Sequence, residues 1–369
     1  MGYTPRACRW RSAVRRGIIA TMRRALKLAF YLPIPATVLV HLLGIGGMPL
    51  FLLSCVSMVP MAALMGRATE SLAARTGAAM GGFLNATFGN AAELILAIYA
   101  LKGGLIPLVQ ATLTGSMIGN LLLVFGLSIL LGGWKHSVQT FSPIAAESGS
   151  SLLVLSVIGV LIPAAVHITD PGLAKAQEIR LTLWVSVVLI GTYLISLLFS
   201  LKTHRHLFGG EEKHEKPEWG AKTAGLLLAV AAVVVSYLSE NIVHTVGDVG
   251  HKIGFNDLFM GAILLAMVGN AAEHASSVVM AMKNKVDVSL NICLGSSLQI
   301  ALFVGPLLVI IGYFIGQPIA LAFTSIEIVA IAASTIAVPF VILNGQSNWF
   351  EGVELLAIYA ILGLAFYYF

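Results

Sequence analysis

Apolar segments of about 20 residues recur along the whole chain and are separated by short polar segments. Each is long enough to cross the hydrocarbon core of a bilayer as an α-helix. Their residues are continuously apolar rather than alternately apolar and polar, which favours helices over the strands of a membrane β-barrel. Eleven segments are present, at residues 28–45, 48–65, 81–102, 105–131, 147–168, 180–201, 221–240, 255–282, 286–313, 318–343 and 350–369. The pattern predicts an all-α polytopic membrane protein with about eleven transmembrane helices.

The composition agrees with a protein that is surrounded by lipid. Of the 369 residues, 58% are hydrophobic and 11% are charged, whereas a soluble domain has about 25% charged residues. These values exclude an ordinary soluble enzyme and a disordered chain. Cys8, Cys55 and Cys293 are far apart in the sequence, so we expect neither a disulfide framework nor a zinc site.

Lysine and arginine residues are concentrated on one side of the predicted membrane. Cytoplasmic loops carry an excess of these residues, so we expect this Lys/Arg-rich side, which includes the N-terminus, to be cytoplasmic. The opposite side receives only Lys102, Lys175, Arg180 and Lys252 of the 22 basic residues. The uneven distribution of basic residues is explained by the orientation of the protein in the membrane, so we expect no nucleic-acid partner. Since the soluble extensions are short, the simplest location is a bacterial inner membrane.

Two polar segments lie outside the predicted spans. Residues 1–27 are rich in arginine and contain no acidic residue. We interpret them as a cytoplasmic tail, with a targeting peptide or a start at Met22 as alternatives, so whether residues 1–21 are translated is left open. Residues 202–220 form a predicted cytoplasmic loop with four glutamates and three histidines. This loop is either a solvated linker between two halves or a segment that gathers cations.

The chain contains an internal repeat. The pentapeptide GNAAE occurs at residues 89–93 and again at 269–273, an offset of 180 residues. Further matches follow at this offset without a gap: Gly81 and Gly261, Ala86 and Ala266, Gly115 and Gly295, Ser116 and Ser296, and Glu147 and Glu327. A five-residue match could be accidental in an alanine-rich chain, but the ungapped series indicates a duplication.

The two copies are predicted to insert in opposite directions. Residues 46–201 form the first repeat, residues 221–369 form the second, and residues 28–45 form one extra helix. Each repeat has five spans, an odd number, so its orientation is inverted relative to the other repeat. Inverted repeats are typical of secondary transporters, in which the substrate binds near the bilayer midplane and the repeats move to give alternating access.

Glu93 and Glu273 occupy equivalent positions about half-way along two apolar segments. A charged side chain at this depth costs about 2.5–3.5 kcal/mol even on lenient scales, and such residues mark ion or proton pathways. The alternative is a protonated glutamate that is hydrogen-bonded to a neighbouring helix, which is less expected for two symmetric residues. Two facing carboxylates suit a hard divalent cation, which prefers several oxygen ligands.

Other oxygen donors accompany the two glutamates. Asn90 and Asn270 lie one helical turn before each glutamate and can add amide oxygens. Gly89 and Gly269 permit close approach or a break in the helix, so that main-chain carbonyls can join. Further side-chain oxygens are available from Ser116, Ser296, Asn120 and Gln299. His274 points about 100° away from Glu273 on a helix, so we expect it to support the site rather than to bind the cation.

The same carboxylates suit protons as well as cations. Burial without a cation favours the neutral form of a glutamate, so a divalent cation and protons compete for the same two groups. This competition is the central requirement of an antiporter. Glu147 with Glu327, and Glu70 with Glu240 if ten residues are inserted after Glu240, form further candidate pairs for proton relay or gating. The alternative for these four is an interfacial glutamate in contact with water.

At these residues the chain resembles the calcium/proton exchanger (CAX) family of the cation/Ca²⁺ exchanger superfamily. The matching segments are GGFLNATFGNAAELILAIYALKGG (81–104), TGSMIGNLLLVFG (114–126), GNAAEHASSVVMAMKNK (269–285) and GSSLQIALFVGP (295–306), with support from MGRATESL (65–72), YLSENIVH (237–244) and NWFEG (348–352). The resemblance implies an eleven-span cation-exchanger fold that is driven by a proton gradient. It also implies Glu93 and Glu273 as the central ligands, with supporting roles for Asn90, Asn270, Ser116, Ser296 and Gln299.

The leading hypothesis is a Ca²⁺/H⁺ antiporter that exports Ca²⁺ from the cytoplasm, with Ca²⁺ and H⁺ as transported ions, no cofactor and the lipid bilayer as its environment. A Na⁺/Ca²⁺ exchanger of the same superfamily is the nearest alternative, although such exchangers typically carry Pro-Glu where this chain has Ala-Ala-Glu. A cation channel with a two-glutamate filter is another. A membrane-embedded enzyme is disfavoured, because no nucleophile or metal-binding histidine accompanies the glutamates. A homo-oligomer is compatible with the sequence, which leaves the oligomeric state and the choice among divalent cations open.

Overall fold

A computed structural model describes residues 29–76, 78–169, 174–204, 217–321 and 323–369. The described residues are almost entirely helical. In chain order the helices are α1 (Pro33–Leu42), α2 (Met48–Thr76), α3 (Ala78–Phe88), α4 (Ala91–Lys102), α5 (Ile106–Gly133), α6 (Pro143–Thr169), α7 (Lys175–Thr203), α8 (Ala221–Ile253), α9 (Asp257–Met282), α10 (Val286–Phe314), α11 (Ser325–Ile342) and α12 (Trp349–Tyr368). The strands are β1 (Gln139–Thr140) and β2 (Gln346–Ser347). The predicted N-terminal tail, Met22 and most of the loop at 202–220 lie outside the described residues.

The prediction of an all-α membrane protein is confirmed, whereas the count of eleven spans is not. Nine helices within the described residues are long and apolar enough to cross a membrane. Two predicted spans differ from this pattern. The segment at 28–45 forms a shorter apolar helix over Ala29–Leu42. The segment at 81–102 is divided by a turn at Gly89 and Asn90 into α3 and α4.

The backbone repeats one irregular feature in both copies. The middle of α5 is π-helical over Gly119–Val124, and the middle of α10 is π-helical over Ile300–Val304. These stretches overlap at the offset of 180 residues that relates the two repeats. Short π-helical turns within α-helices are frequent at functional sites. Both directly follow the segments that carry Ser116 and Ser296, so the backbone agrees with the repeat that the sequence predicts.

The two repeats pack against each other through several elements. Helix α2 of the first repeat packs along α8 of the second, and α5 packs against both α9 and α12. The strands β1 and β2 also join the repeats, as an antiparallel pair with Gln139 opposite Ser347 and Thr140 opposite Gln346. Helix α4, which follows the first GNAAE motif, packs against α8, and α9, which carries the second, packs against α2 as well as α5, so both motifs lie between the two copies.

Glycines mark a difference between the two halves of the repeat interface. A Cβ atom at Gly115 of α5 would lie 2.0 Å from the carbonyl oxygen of Ala262 in α9, so these two backbones are in direct contact. Gly295 is the equivalent of Gly115, yet a Cβ atom placed there would meet nothing within 4 Å. The equivalent of Ala262 is Gly82 in α3, whose nearest neighbour is the Leu201 side chain near the end of α7. The contact between α5 and α9 is closed, and its counterpart between α10 and α3 is open.

Candidate functional site

Glu93 and Glu273 approach one another across the interface between the repeats. Glu93 is buried in the first turn of α4, with 6% of its surface exposed, and Glu273 is half-buried in α9. The two carboxyl groups are close enough to interact electrostatically. A charge pair of the same sign in a low-dielectric environment is costly unless a cation or a proton lies between the groups. The structure brings together the two glutamates that the sequence analysis singled out.

The glycines of the two GNAAE motifs serve different purposes. Gly89 and Asn90 form the turn that ends α3 and starts α4, so Glu93 lies at a helix N-terminus, where free N–H groups favour an anion. Gly269 instead lies inside the continuous helix α9. A Cβ atom at Gly269 would lie 3.1 Å from Cγ and Oε1 of Glu93, so the missing side chain makes room for that glutamate. One glycine breaks a helix and the other permits close approach.

The two asparagines have their amide nitrogens bound and their amide oxygens free. Asn90 donates a hydrogen bond from Nδ2 to Oε1 of Gln299 in the second repeat. Asn270 donates from Nδ2 to Oγ of Ser116 in the first repeat, at 3.1 Å, and to a carbonyl oxygen of its own helix. Both asparagines are buried, and Oδ1 of each has no hydrogen-bond partner.

Four buried oxygens are left without a hydrogen bond by this arrangement. They are Oδ1 of Asn90, Oε2 of Glu93, Oδ1 of Asn270 and Oε2 of Glu273, two from each repeat at equivalent positions. Buried polar atoms nearly always have a partner, and these four are among thirteen buried side-chain atoms of the described residues that have none. Among the described residues, no three His, Cys, Asp or Glu side chains cluster as metal ligands. Two carboxylates with two amide oxygens suit a hard cation such as Ca²⁺ rather than zinc or copper.

The serines and Asn120 support this set of oxygens. Asn120 donates from Nδ2 to Oγ of Ser296 at 2.9 Å, and Ser296 in turn interacts with the carboxyl group of Glu273. Oδ1 of Asn120 lies 3.1 Å from Nε2 of His274. The sequence predicts Asn120 as a further source of a ligand oxygen, but that oxygen faces His274. His274 is thus connected to Ser296 through Asn120, and its supporting role stays a prediction.

Tyr193 belongs to the network of polar side chains around the two glutamates, although it is not among the site residues predicted from the sequence. It lies on α7, is 5% exposed, and its hydroxyl interacts with the amide of Gln299. Its ring also lies 5.9 Å from the ring of Phe303. In the sequence, Tyr193 is one aromatic residue within an apolar segment, outside the matched repeat segments. Only the helical stripe of less apolar residues Thr182, Ser186 and Tyr193 could have indicated that this face of α7 is turned inward.

The outer glutamates are not equivalent in the structure. Glu327 is buried at the start of α11, where it accepts hydrogen bonds from the backbone N–H and hydroxyl of Thr324, and Thr114 donates to it at 3.3 Å. Glu147, its sequence counterpart, is exposed. Glu70 and Glu240 are also exposed, and Glu70 interacts electrostatically with Glu273. Of these four residues, Glu70 is the one that is linked to the central pair.

Known proteins are similar to this chain in both sequence and fold. A family profile described as sodium/calcium exchanger protein matches residues 47–202 and 223–368. The chain is 43% identical over 340 residues to the Ca²⁺/H⁺ antiporter ChaA of Bacillus subtilis, covering 90% of this chain and 96% of that protein. It is 45% identical over 353 residues to a Ca²⁺/H⁺ antiporter of Synechocystis sp., covering 90% and 95%. The solved structure of native YfkE matches with a TM-score of 0.81 and 40% identity, covering 93% of this chain and 99% of that one.

Proposed function

Because the chain belongs to the sodium/calcium exchanger protein family, we propose that it is a Ca²⁺/H⁺ antiporter that exports Ca²⁺ from the cytoplasm by using the proton gradient. It is a membrane transporter rather than an enzyme. The relatives that are named Ca²⁺/H⁺ antiporters match it over nearly their whole lengths, which supports protons as the coupling ions. The distribution of lysine and arginine supports a cytoplasmic N-terminus. The short soluble extensions and the bacterial relatives support a bacterial inner membrane.

The four unpartnered oxygens of Asn90, Glu93, Asn270 and Glu273 carry this proposal. They include two negative charges, which balance the charge of one divalent cation. A bound Ca²⁺ ion would accept all four oxygens as ligands and remove the repulsion between the carboxylates. Without a cation, desolvation and mutual repulsion favour protonation of the same groups. One site thus holds either a divalent cation or protons, which couples their movement in opposite directions.

Alternating access is supported by the unequal glycine contacts. Gly115 and Ala262 lie in the first halves of α5 and α9, which begin shortly after Lys102 and Lys252. The closed contact between these two residues therefore lies on the side of the membrane with few basic residues. The open counterpart, between Gly295 and Gly82, lies on the Lys/Arg-rich side. In an inverted repeat, exchange of these two contacts would close one side and open the other. The described conformation then corresponds to a site that is accessible from the cytoplasm.

The transport assay uses proteoliposomes with an acidic lumen and no sodium on either side. We expect uptake of radiolabelled Ca²⁺ that requires the pH gradient and stops when a protonophore is added. Protein-free vesicles with the same gradient are the control. Uptake that requires sodium inside the vesicles instead would assign the chain as a Na⁺/Ca²⁺ exchanger. Flux that is independent of the pH gradient and orders of magnitude above carrier rates would indicate a channel.

A cysteine pair at Gly82 and Gly295 tests the proposed movement. In a variant whose native cysteines are replaced by serine, we expect Gly82→Cys with Gly295→Cys to form a disulfide during turnover and then to lose transport. The reason is that these positions are apart in the described conformation and meet only when the open contact closes. The single-cysteine variants are the controls. Reduction should return transport to the rate of the single variant Gly295→Cys, and an oxidised double variant without a disulfide and with the activity of that single variant would contradict the proposed closure.

A further inference from the structure

Tyr193 projects from the inner face of a helix that otherwise faces outward. The buried residues of α7 are Thr182, Ser186, Leu189 and Tyr193, which recur at helical spacing along one side. Their neighbours Leu194 and Ile195 are exposed. Tyr193 is the member of this stripe whose hydroxyl interacts with Gln299, the residue that accepts the hydrogen bond from Asn90. A peripheral helix therefore reaches the proposed cation site through two successive polar contacts.

Asn90 and Asn270 are hydrogen-bonded to side chains of very different length. Asn270 donates to Ser116, whose hydroxyl is attached directly to Cβ and has one rotatable bond. Asn90 donates to Gln299, whose amide lies at the end of three rotatable bonds. The residue equivalent to Gln299 in the first repeat is Gly119, so Asn270 has no such long partner. Only the Asn90 side of the site depends on a flexible side chain that must itself be held in place.

We propose that Tyr193 is a positioning residue for the cation site: its hydroxyl holds Gln299, and Gln299 holds the Asn90 amide with its oxygen free for the cation. The proposal rests on the proposed function, because it assigns Asn90 as a ligand. When Tyr193 loses its hydroxyl, Gln299 can leave the position in which it binds Nδ2 of Asn90. The Asn90 amide can then rotate and direct its nitrogen, a donor, toward the cation. Cation affinity falls, while the protein remains folded.

The chain provides a matched control for removal of the hydroxyl. Tyr359 is a second largely buried tyrosine, on α12, and its hydroxyl has no hydrogen-bond partner. Tyr193→Phe and Tyr359→Phe delete the same atom, and each retains the ring and therefore its packing. A general effect of tyrosine replacement on folding would affect both variants. An effect through Gln299 affects only Tyr193→Phe.

The first measurement is equilibrium binding of radiolabelled Ca²⁺ to the purified protein in detergent. Loss of one hydrogen bond is worth about 1 kcal/mol, so we expect the Kd to rise about fivefold in Tyr193→Phe and to stay unchanged in Tyr359→Phe. In proteoliposomes the KM for Ca²⁺ should rise by the same factor with little change in kcat. An unchanged Kd in Tyr193→Phe, or equal increases in both variants, would overturn the proposal.

A double variant identifies the route through Asn90. If Tyr193 acts by positioning Asn90, then Tyr193→Phe should add nothing to the loss of affinity caused by Asn90→Ala. Independent, additive losses would overturn that route. Binding also separates the two proposals: wild-type protein that binds Ca²⁺ but does not exchange it for protons would contradict the proposed antiport, and the comparison of the two tyrosine variants would still decide the role of Tyr193.

Discussion

Replacement of Glu93 or Glu273 by glutamine is expected to reduce Ca²⁺/H⁺ exchange at least ~100-fold, which corresponds to about 2.7 kcal/mol. Glutamine retains the size and one oxygen of the side chain but removes its negative charge and its ability to bind and release a proton. A single remaining carboxylate cannot balance the charge of a divalent cation between packed membrane helices. Both variants should insert into the membrane and fold, because removal of one charge also removes the repulsion within the pair.

The measurement is the initial rate of Ca²⁺ uptake at equal amounts of reconstituted protein. Glu354→Gln is the matched control, since Glu354 is an exposed residue of α12 and the same change of charge there should leave transport intact. Elution as a single peak in size-exclusion chromatography verifies that each variant is folded. Exchange above a tenth of the wild-type rate in either central variant would contradict a site that needs both carboxylates.

Gly115→Ala is expected to disrupt the packing of the two repeats, whereas Gly295→Ala is expected to be tolerated. The new Cβ atom at Gly115 would overlap the backbone of Ala262, at 2.0 Å from its carbonyl oxygen, and backbone atoms cannot move aside as a flexible side chain can. Overpacking of this kind costs about 1–3 kcal/mol or more. At the equivalent position Gly295, the added methyl group meets nothing within 4 Å.

Thermal unfolding in detergent compares the two glycine variants directly. We expect the Tm of Gly115→Ala to fall by about 5 °C or more, and that of Gly295→Ala to stay close to the wild-type value. Each variant is the control for the other, because both replace glycine by alanine and both positions are equivalent in the two repeats. Equal Tm values would show that the two contacts do not differ as described. Slow transport by a stable Gly295→Ala protein would fit the proposed closure against Gly82.

The proximity of Glu93 and Glu273 can be predicted from the sequence, because an internal duplication is visible without a structure. Glu93 and Glu273 are recognisable as a pair through the repeated pentapeptide and its ungapped extension. The asparagines follow from helical spacing, and the helical class follows from the long apolar segments. The individual roles of these residues remain proposals, but their convergence was expected from the inverted repeat alone. The repeat predicts features that the two halves share, and it cannot predict features in which the two halves differ.

The features that could not be predicted from the sequence are those in which the two copies of the repeat differ. Gly89 and Gly269 are identical letters in identical motifs, yet one interrupts a helix and the other does not, since tertiary packing decides which helix bends. Asn120 has a suitable oxygen, but only the structure places His274 against it. Tyr193 lies outside the matched segments, on a helix whose orientation toward the site depends on packing. Spacing along one chain cannot report contacts between helices that are distant in sequence.

The short pairing of β1 with β2 has a mechanical consequence. It connects the loop before α6, in the first repeat, to the loop before α12, in the second, and Phe141 N–H extends it with a hydrogen bond to the carbonyl oxygen of Gly345 at 3.0 Å. The backbone N–H of Ser142 also donates to Asp287 at 2.6 Å, which ties in the start of α10. Directional hydrogen bonds resist sliding more than apolar contacts between helices do. The starts of α6, α10 and α12 are thus held to one another by hydrogen bonds that would resist sliding of these three helices.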